Sequence, residues 1–188
     1  MSDFEFLFAL YGLMLGLSVA EVLSGLARSI EDRLHGRPEL RLGWLTPLLA
    51  VFVLLDLLSF WSAAWTLRSL VSVSGESLML VTAFAGAYYM AARLVFPRDL
   101  DRIDDLDDHF FRVRRIVLGI LLGLLVVQMI YYASIPSLAP RLLVPSSLGM
   151  TLLLAVLLVL GMAVRGRIAA TFVLAALVTR YVAGYIIF

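Results

Sequence analysis

The feature that most constrains this chain is a succession of six apolar blocks, each about as long as a bilayer is thick. They run from Phe4 to Ala27, Trp44 to Leu67, Ser77 to Phe96, Ile116 to Ile135, Pro145 to Val164 and Ile168 to Phe188. A helix needs roughly 20 apolar residues to cross hydrocarbon, and a barrel strand about half as many. Inside hydrocarbon every backbone N–H and C=O must be bonded within the protein, and a helix does this within one segment. The blocks therefore predict an all-α integral membrane protein with six transmembrane helices and a single transmembrane domain over residues 1–188. The N-terminus lacks the basic stretch and small-residue cleavage site of a signal peptide, so the first block is expected to be a retained span.

Arginine sets the expected orientation. The segments after spans one, three and five carry Arg28, Arg33, Arg37 and Arg41, then Arg93, Arg98, Arg102, Arg112, Arg114 and Arg115, then Arg165 and Arg167. The other side carries only Arg68 and Arg141, a bias of 12 to 2. Basic residues concentrate in cytoplasmic loops, so these segments are expected inside and both termini outside, on the periplasmic face. Trp44 then marks the inner interface, and Trp61 and Trp65 the outer one. All 15 basic residues are Arg, and the chain has neither Lys nor Asn. That usage fits a GC-rich bacterial genome, and with it the bacterial inner membrane.

The segment between spans three and four is the longest connection. Leu100, Ile103, Leu106 and Phe110 recur at helical spacing among Asp99, Asp101, Asp104, Asp105, Asp107 and Asp108. From Asp99 to Phe111 this predicts a short amphipathic helix on the cytoplasmic membrane face, started by Pro97.

The two halves of the chain share a pattern. At an offset of 107, Gly12, Gly16, Leu17, Val19 and Glu21 fall on Gly119, Gly123, Leu124, Val126 and Gln128. Thr46, Ala50 and Val51 fall on Thr151, Ala155 and Val156, and the run from Tyr89 to Phe96 falls on that from Tyr181 to Phe188. This reads either as a 3+3 inverted repeat, an arrangement that transporters use around a midplane site, or as two similar apolar segments with no common origin. Gly12, Gly16, Ala20 and Ser24 form a small-residue stripe, and Gly119 and Gly123 begin another. Such stripes let helices approach closely, within one subunit or between copies in a homo-oligomer.

Charges inside spans carry the most information, because a central Asp or Arg costs roughly 2.5–3.5 kcal/mol on insertion scales. Glu21, Asp56 and Arg180 are the clear cases, and Arg93 lies near enough to the inner face to snorkel. Glu21 is expected either to reach interfacial water or to pair with Arg93. Asp56 lies 12 residues beyond Trp44, and Arg180 lies 12 beyond Ile168. Both spans enter from the same side, so both charges sit about 18 Å deep at 1.5 Å per residue. An ion pair between them is predicted, with Gln128 and Ser59 as neutral hydrogen-bonding neighbours. It reads either as a structural clasp or as an ion-coupling site.

The cluster Asp104, Asp105, Asp107 and Asp108 is a weak candidate for Mg²⁺ or Ca²⁺, which prefer carboxylate oxygens. A solvated helix face is the better reading, and no metal or cofactor is expected. Without Cys there is no thiol chemistry and no disulfide. His35 and His109 both fall in predicted loops, which excludes bis-His haem within the spans. No zinc-protease, nucleophile-elbow or P-loop motif is present, and no basic stripe suits nucleic acid.

The expectation is a small, non-enzymatic transporter or channel for an ion or small solute, embedded in the lipid bilayer as a homo-oligomer. The alternatives are an interaction or assembly subunit, whose intramembrane charges pair with a membrane-protein partner, and a lipid-acting enzyme built on the Asp-rich loop.

Overall fold

The computed structural model describes residues 3–35, 41, 43–66, 74–98, 105–142 and 144–187. Among them the chain is all-helical, with no β-strand. Helix α1 spans Asp3–His35, α2 Leu45–Thr66, α3 Gly75–Val95 and α4 Leu106–Ser134. A one-turn α5, Ala139–Leu142, precedes α6, Pro145–Ala163, and α7, Arg167–Ile187. Six of the seven helices are long and apolar enough to cross a membrane.

Their outer surfaces suit lipid. Leu13 is 65% exposed, Met79 75%, Phe172 72% and Ile168 77%. Apolar exposure on this scale, spread over every long helix, is unsuited to water. The chain is a multi-pass membrane protein by length, composition and surface alike.

The helices alternate in direction and collect most of the arginines at one end of the bundle. Trp44 is exposed at that Arg-rich end, and Trp61 and Trp65 are exposed at the other. Helices α2, α3, α6 and α7 lie within one or two residues of the apolar blocks. Two helices are longer than their blocks. Helix α1 continues to His35, and α4 begins at Leu106, ten residues before Ile116. At 1.5 Å per residue, α1 is about 50 Å long and α4 about 44 Å, well beyond a hydrocarbon core of roughly 30 Å. The excess is charged and lies at the Arg-rich end. The amphipathic helix expected over Asp99–Phe111 is corrected accordingly. Residues 106–111 are the opening turns of α4, and residues 99–104 lie outside the described residues.

Helix starts follow ordinary capping chemistry. Ser74 and Ser77 form a reciprocal capping box at the start of α3. Pro145 opens α6, where its missing N–H has no intrahelical partner to lose. Asp105 caps α4 by accepting from the Asp107 N–H at 2.8 Å. Helix α2 takes its cap from far along the chain. The Leu45 N–H donates to Asp107 Oδ1 at 2.9 Å, and the Thr46 hydroxyl donates to the Leu106 carbonyl at 2.6 Å. The carboxylate thus sits at the positive end of the α2 dipole.

Gly43 makes this cap reachable. Its φ is +58°, and a Cβ there would collide with the Asp107 carboxylate. Gly43→Ala is expected to destabilise the protein by about 2–3 kcal/mol, combining the left-handed backbone penalty with loss of the cap. Denaturant unfolding in micelles measures it, and an unchanged midpoint contradicts it.

The helices surround an apolar core that includes Leu15, Leu49, Phe52, Leu118, Leu158 and Leu174. Helix α1 packs mainly on α3, while α2 packs mainly on α7. Under a 3+3 repeat the α1–α2 and α2–α3 contacts have counterparts in α4–α6 and α6–α7, while the α1–α3 contact has no comparable counterpart between α4 and α7.

Of the predicted packing glycines, Gly12 meets the Trp61 ring, where a Cβ would lie 2.9 Å from it. Gly16 and Gly123 face open space, and Gly119 has only Met162 near it, at 3.8 Å. Ala20 is exposed. Among the described helical glycines the tightest is Gly25, where a Cβ would stand 2.6 Å from the Phe96 side chain.

Candidate functional site

Asp56 is the polar centre of the bundle. It lies 11 residues into α2 and is only 8% exposed. Each carboxylate oxygen receives one hydroxyl from a different helix. Tyr88 on α3 donates to Oδ2 at 2.8 Å, and Tyr181 on α7 donates to Oδ1. Both tyrosines are themselves buried. Tyr88 is fixed by Phe60, 5.2 Å away, and Phe84, 5.8 Å away, and those two rings stack at 4.4 Å. Tyr181 leans on Phe52 at 5.9 Å. Aromatic packing therefore holds both donors in place before they meet the carboxylate.

The predicted Asp56–Arg180 ion pair is corrected. The two share a cavity but make no direct ion pair; Arg180 acts on the carboxylate through space. Arg180 Nε instead donates to the Met150 carbonyl at 3.0 Å, and the guanidinium lies 4.7 Å over the Tyr181 ring. The tyrosine hydroxyls have taken the carboxylate, and the Tyr181 ring face carries the cation. Gln128 faces the same space and donates to the Tyr132 hydroxyl at 3.1 Å. Ser59 and Thr151 complete the polar lining.

This cavity measures about 220 Å³. It extends to Leu142 and Ser147, near the end of the bundle poor in arginine. Its apolar wall includes Leu121, Leu154 and Leu158, all buried. A polar chamber lined by a carboxylate, a guanidinium and two tyrosine hydroxyls thus lies within the bundle.

The remaining candidates lie elsewhere. Arg93 Nη1 donates to Glu21 Oε1, and Arg28 approaches the same oxygen at 3.9 Å. This is the pairing that sequence depth allowed, and it ties α1 to α3. The described aspartates are paired within the chain, with Asp107 buried and Asp108 exposed. Arg167 binds Asp105 at 3.0 Å and Asp108 at 2.8 Å, Asp107 caps α2, and Asp104 lies outside the described residues. Among the described residues no acidic or histidine group has the arrangement of a metal site. His109 lies within α4, not in a loop, and donates from Nε2 to the Leu94 carbonyl at 3.2 Å. His35 ends α1.

The chain matches no protein-family model, no curated protein and no solved structure. Its chemistry is read from its own residues.

Sequence reasoning missed Tyr88 and Tyr181, which look like ordinary aromatics in apolar blocks. The depth argument that matched Asp56 to Arg180 selects Tyr181 as well, one residue further on, once hydroxyl donors are counted with charges. Arg114 was read only as one more basic residue of the Arg-rich side. It is buried and stacks 4.7 Å over Phe111, and Nη1 donates to the Gly161 carbonyl at 3.3 Å and to that of Val164. It thereby caps the C-terminus of α6, where a cation is favoured.

Proposed function

We propose that this protein is a small transporter or channel for an ion or small polar solute in a bacterial inner membrane. The observation that carries the reading is the polar chamber at Asp56, where a carboxylate, a guanidinium and two tyrosine hydroxyls line one cavity within the bundle. A carboxylate at this depth costs roughly 2.5–3.5 kcal/mol. Interhelical hydrogen bonds in membranes return about 0.6 kcal/mol each on average, and at most about 1.7. Two tyrosine bonds offset the cost only at their upper limit. Asp56 therefore adds little to stability, which favours a role in binding or coupling over a purely structural one.

With the 12 to 2 arginine bias, the chamber opens to the outside and both termini lie there. In this orientation Leu142 and Ser147 lie toward the outside, and transport requires the buried apolar core around Phe52 to part. A homo-oligomer belongs to the same proposal, because Gly16 and Ala20 leave a narrow exposed strip on α1 on which a second copy's helix fits.

The interaction-subunit reading has less support. Glu21 and Arg93 satisfy one another within the chain, and Asp56 and Arg180 point into the bundle. A lipid-acting enzyme at the Asp-rich loop has less still, since Arg167 and the α2 cap occupy its carboxylates. The test is flux into liposomes containing the purified protein, screened across cations, anions and small neutral solutes. Flux that depends on Asp56 supports the proposal. No flux for any class, together with a stoichiometric co-purifying membrane protein, supports the interaction subunit.

A further inference from the structure

The Asp56 chamber holds two opposite charges that do not close on each other. Among the described residues, Asp56 and Arg180 are the only charged side chains that line it. Tyr181 keeps them apart. Its hydroxyl donates to Asp56 Oδ1, while its ring face carries the Arg180 guanidinium at 4.7 Å. The Arg180 Nε is held by the Met150 carbonyl of α6 at 3.0 Å. Both charges are thus fixed before anything enters, which lowers the ordering cost of binding.

Each charge has bonding capacity to spare. The terminal Nη groups of Arg180 have no acceptor of hydrogen-bonding geometry among the described residues, and neither is closed off from the surface. With Nε engaged, the free edge of the guanidinium is the two-pronged Nη end, which suits a carboxylate. Asp56 accepts one hydroxyl on each oxygen, whereas an ionised carboxylate offers about four acceptor sites. Ser59, Gln128 and Thr151 add a polar wall that is neutral.

Charge arithmetic then selects the occupant. One carboxylate and one guanidinium sum to zero. A lone cation or a lone anion would leave the chamber with a net charge, which is costly in a low-dielectric interior. A zwitterion leaves the sum at zero and meets both groups. The cavity of about 220 Å³ is smaller than the roughly 300–1,000 Å³ of pockets for drug-sized molecules, so the occupant is small. We propose that the Asp56 chamber binds a small zwitterion of amino-acid type, with its carboxylate on the Nη groups of Arg180 and its ammonium toward Asp56. This deepens the transport reading, and rests on it in taking the chamber as the solute site.

The test is equilibrium binding to the full chain in lipid nanodiscs, with radiolabelled glycine, β-alanine and 4-aminobutyrate as probes. The series scans the separation of the two charges. Propylamine and propionate each carry one of those charges at similar size. At least one zwitterion is expected to bind saturably, and propylamine and propionate to compete for its site about tenfold less well or worse. Asp56→Asn and Arg180→Gln should each weaken its binding about tenfold or more. They should also shift the preference in opposite directions: Asp56→Asn brings propionate level with the zwitterion, and Arg180→Gln brings propylamine level. A purely structural role for either residue would not switch the preference. Arg180→Lys keeps the charge and should keep the preference for the zwitterion. Propylamine or propionate competing as well as the zwitterion for the parent protein overturns the proposal. So does a lack of saturable binding by all three probes, or folded variants whose preference is unchanged. Binding and flux fail separately. Asp56-dependent flux of a simple ion without zwitterion binding sinks this proposal and leaves transport standing, and zwitterion binding without flux does the reverse.

Discussion

Asp56→Asn is expected to lower solute flux by at least tenfold while leaving the folded protein within about 1 kcal/mol of the parent. A tenfold loss corresponds to about 1.4 kcal/mol of lost stabilisation at the rate-limiting step. Asparagine matches aspartate in volume. Its amide oxygen still accepts one tyrosine hydroxyl, and its NH₂ donates to the oxygen of the other. Tyr88 and Tyr181 therefore both keep a partner, and the tie among α2, α3 and α7 survives. The negative charge does not survive, and with it goes the attraction for a cation or the capacity to carry a proton. Removing a charge from this depth also removes a desolvation penalty, so stability is expected to hold or rise slightly. Flux in liposomes and thermal unfolding in the same detergent measure the two effects separately. A variant with full flux denies Asp56 its functional role. A variant that unfolds, with flux falling only in step with folded protein, makes the carboxylate a structural clasp.

The largest expected loss of stability is at the other end of the molecule. Arg114→Leu should cost about 3 kcal/mol or more. The guanidinium bonds two carbonyls that the end of α6 leaves without intrahelical partners. Hydrogen bonds to charged groups contribute roughly 1.5–3 kcal/mol, and a cation at a partly buried helix C-terminus up to about 2. Stacking on Phe111 contributes about 0.5–2 kcal/mol more. Part of this sum is returned because leucine carries no desolvation cost, which brings the net to the stated size. Arg114→Lys should recover less than half, because an ammonium lacks the planar face that stacks on Phe111 while its nitrogen bonds the carbonyls. Urea unfolding of the two variants in micelles measures both values, and an Arg114→Leu cost below about 1 kcal/mol counts against the cap.

The number and order of the spans were readable from block length alone, because hydrocarbon thickness imposes it. The true ends of α1 and α4 were not. A helix continues as long as its backbone bonds and caps allow, whereas an apolar block stops at the lipid boundary. Residues 28–35 and 106–115 are charged and still helical. The depth argument put Asp56 and Arg180 at one level, and both line one cavity. Their lack of contact was not readable, because depth fixes position along a helix but not rotation about its axis. Packing sets the rotation, and it turned Tyr88 and Tyr181 toward the carboxylate and Arg180 toward Met150. The α2 cap was hidden for another reason: Leu45 and Asp107 are 62 residues apart in sequence, and no local pattern joins them.

The chamber itself is open to direct test, because the chain contains no cysteine. Ser59→Cys places a single thiol on the chamber wall beside Asp56. Ser137→Cys and Arg112→Cys place exposed reference thiols at the Arg-poor and Arg-rich ends. Each variant is treated with a charged, membrane-impermeant methanethiosulfonate, in right-side-out and in inverted membranes. The Ser59→Cys thiol is expected to react in the preparation where the Ser137→Cys thiol reacts, and to be protected in the one where the Arg112→Cys thiol reacts. Reaction from the Arg-rich side, or from neither side, contradicts a polar chamber open at one end.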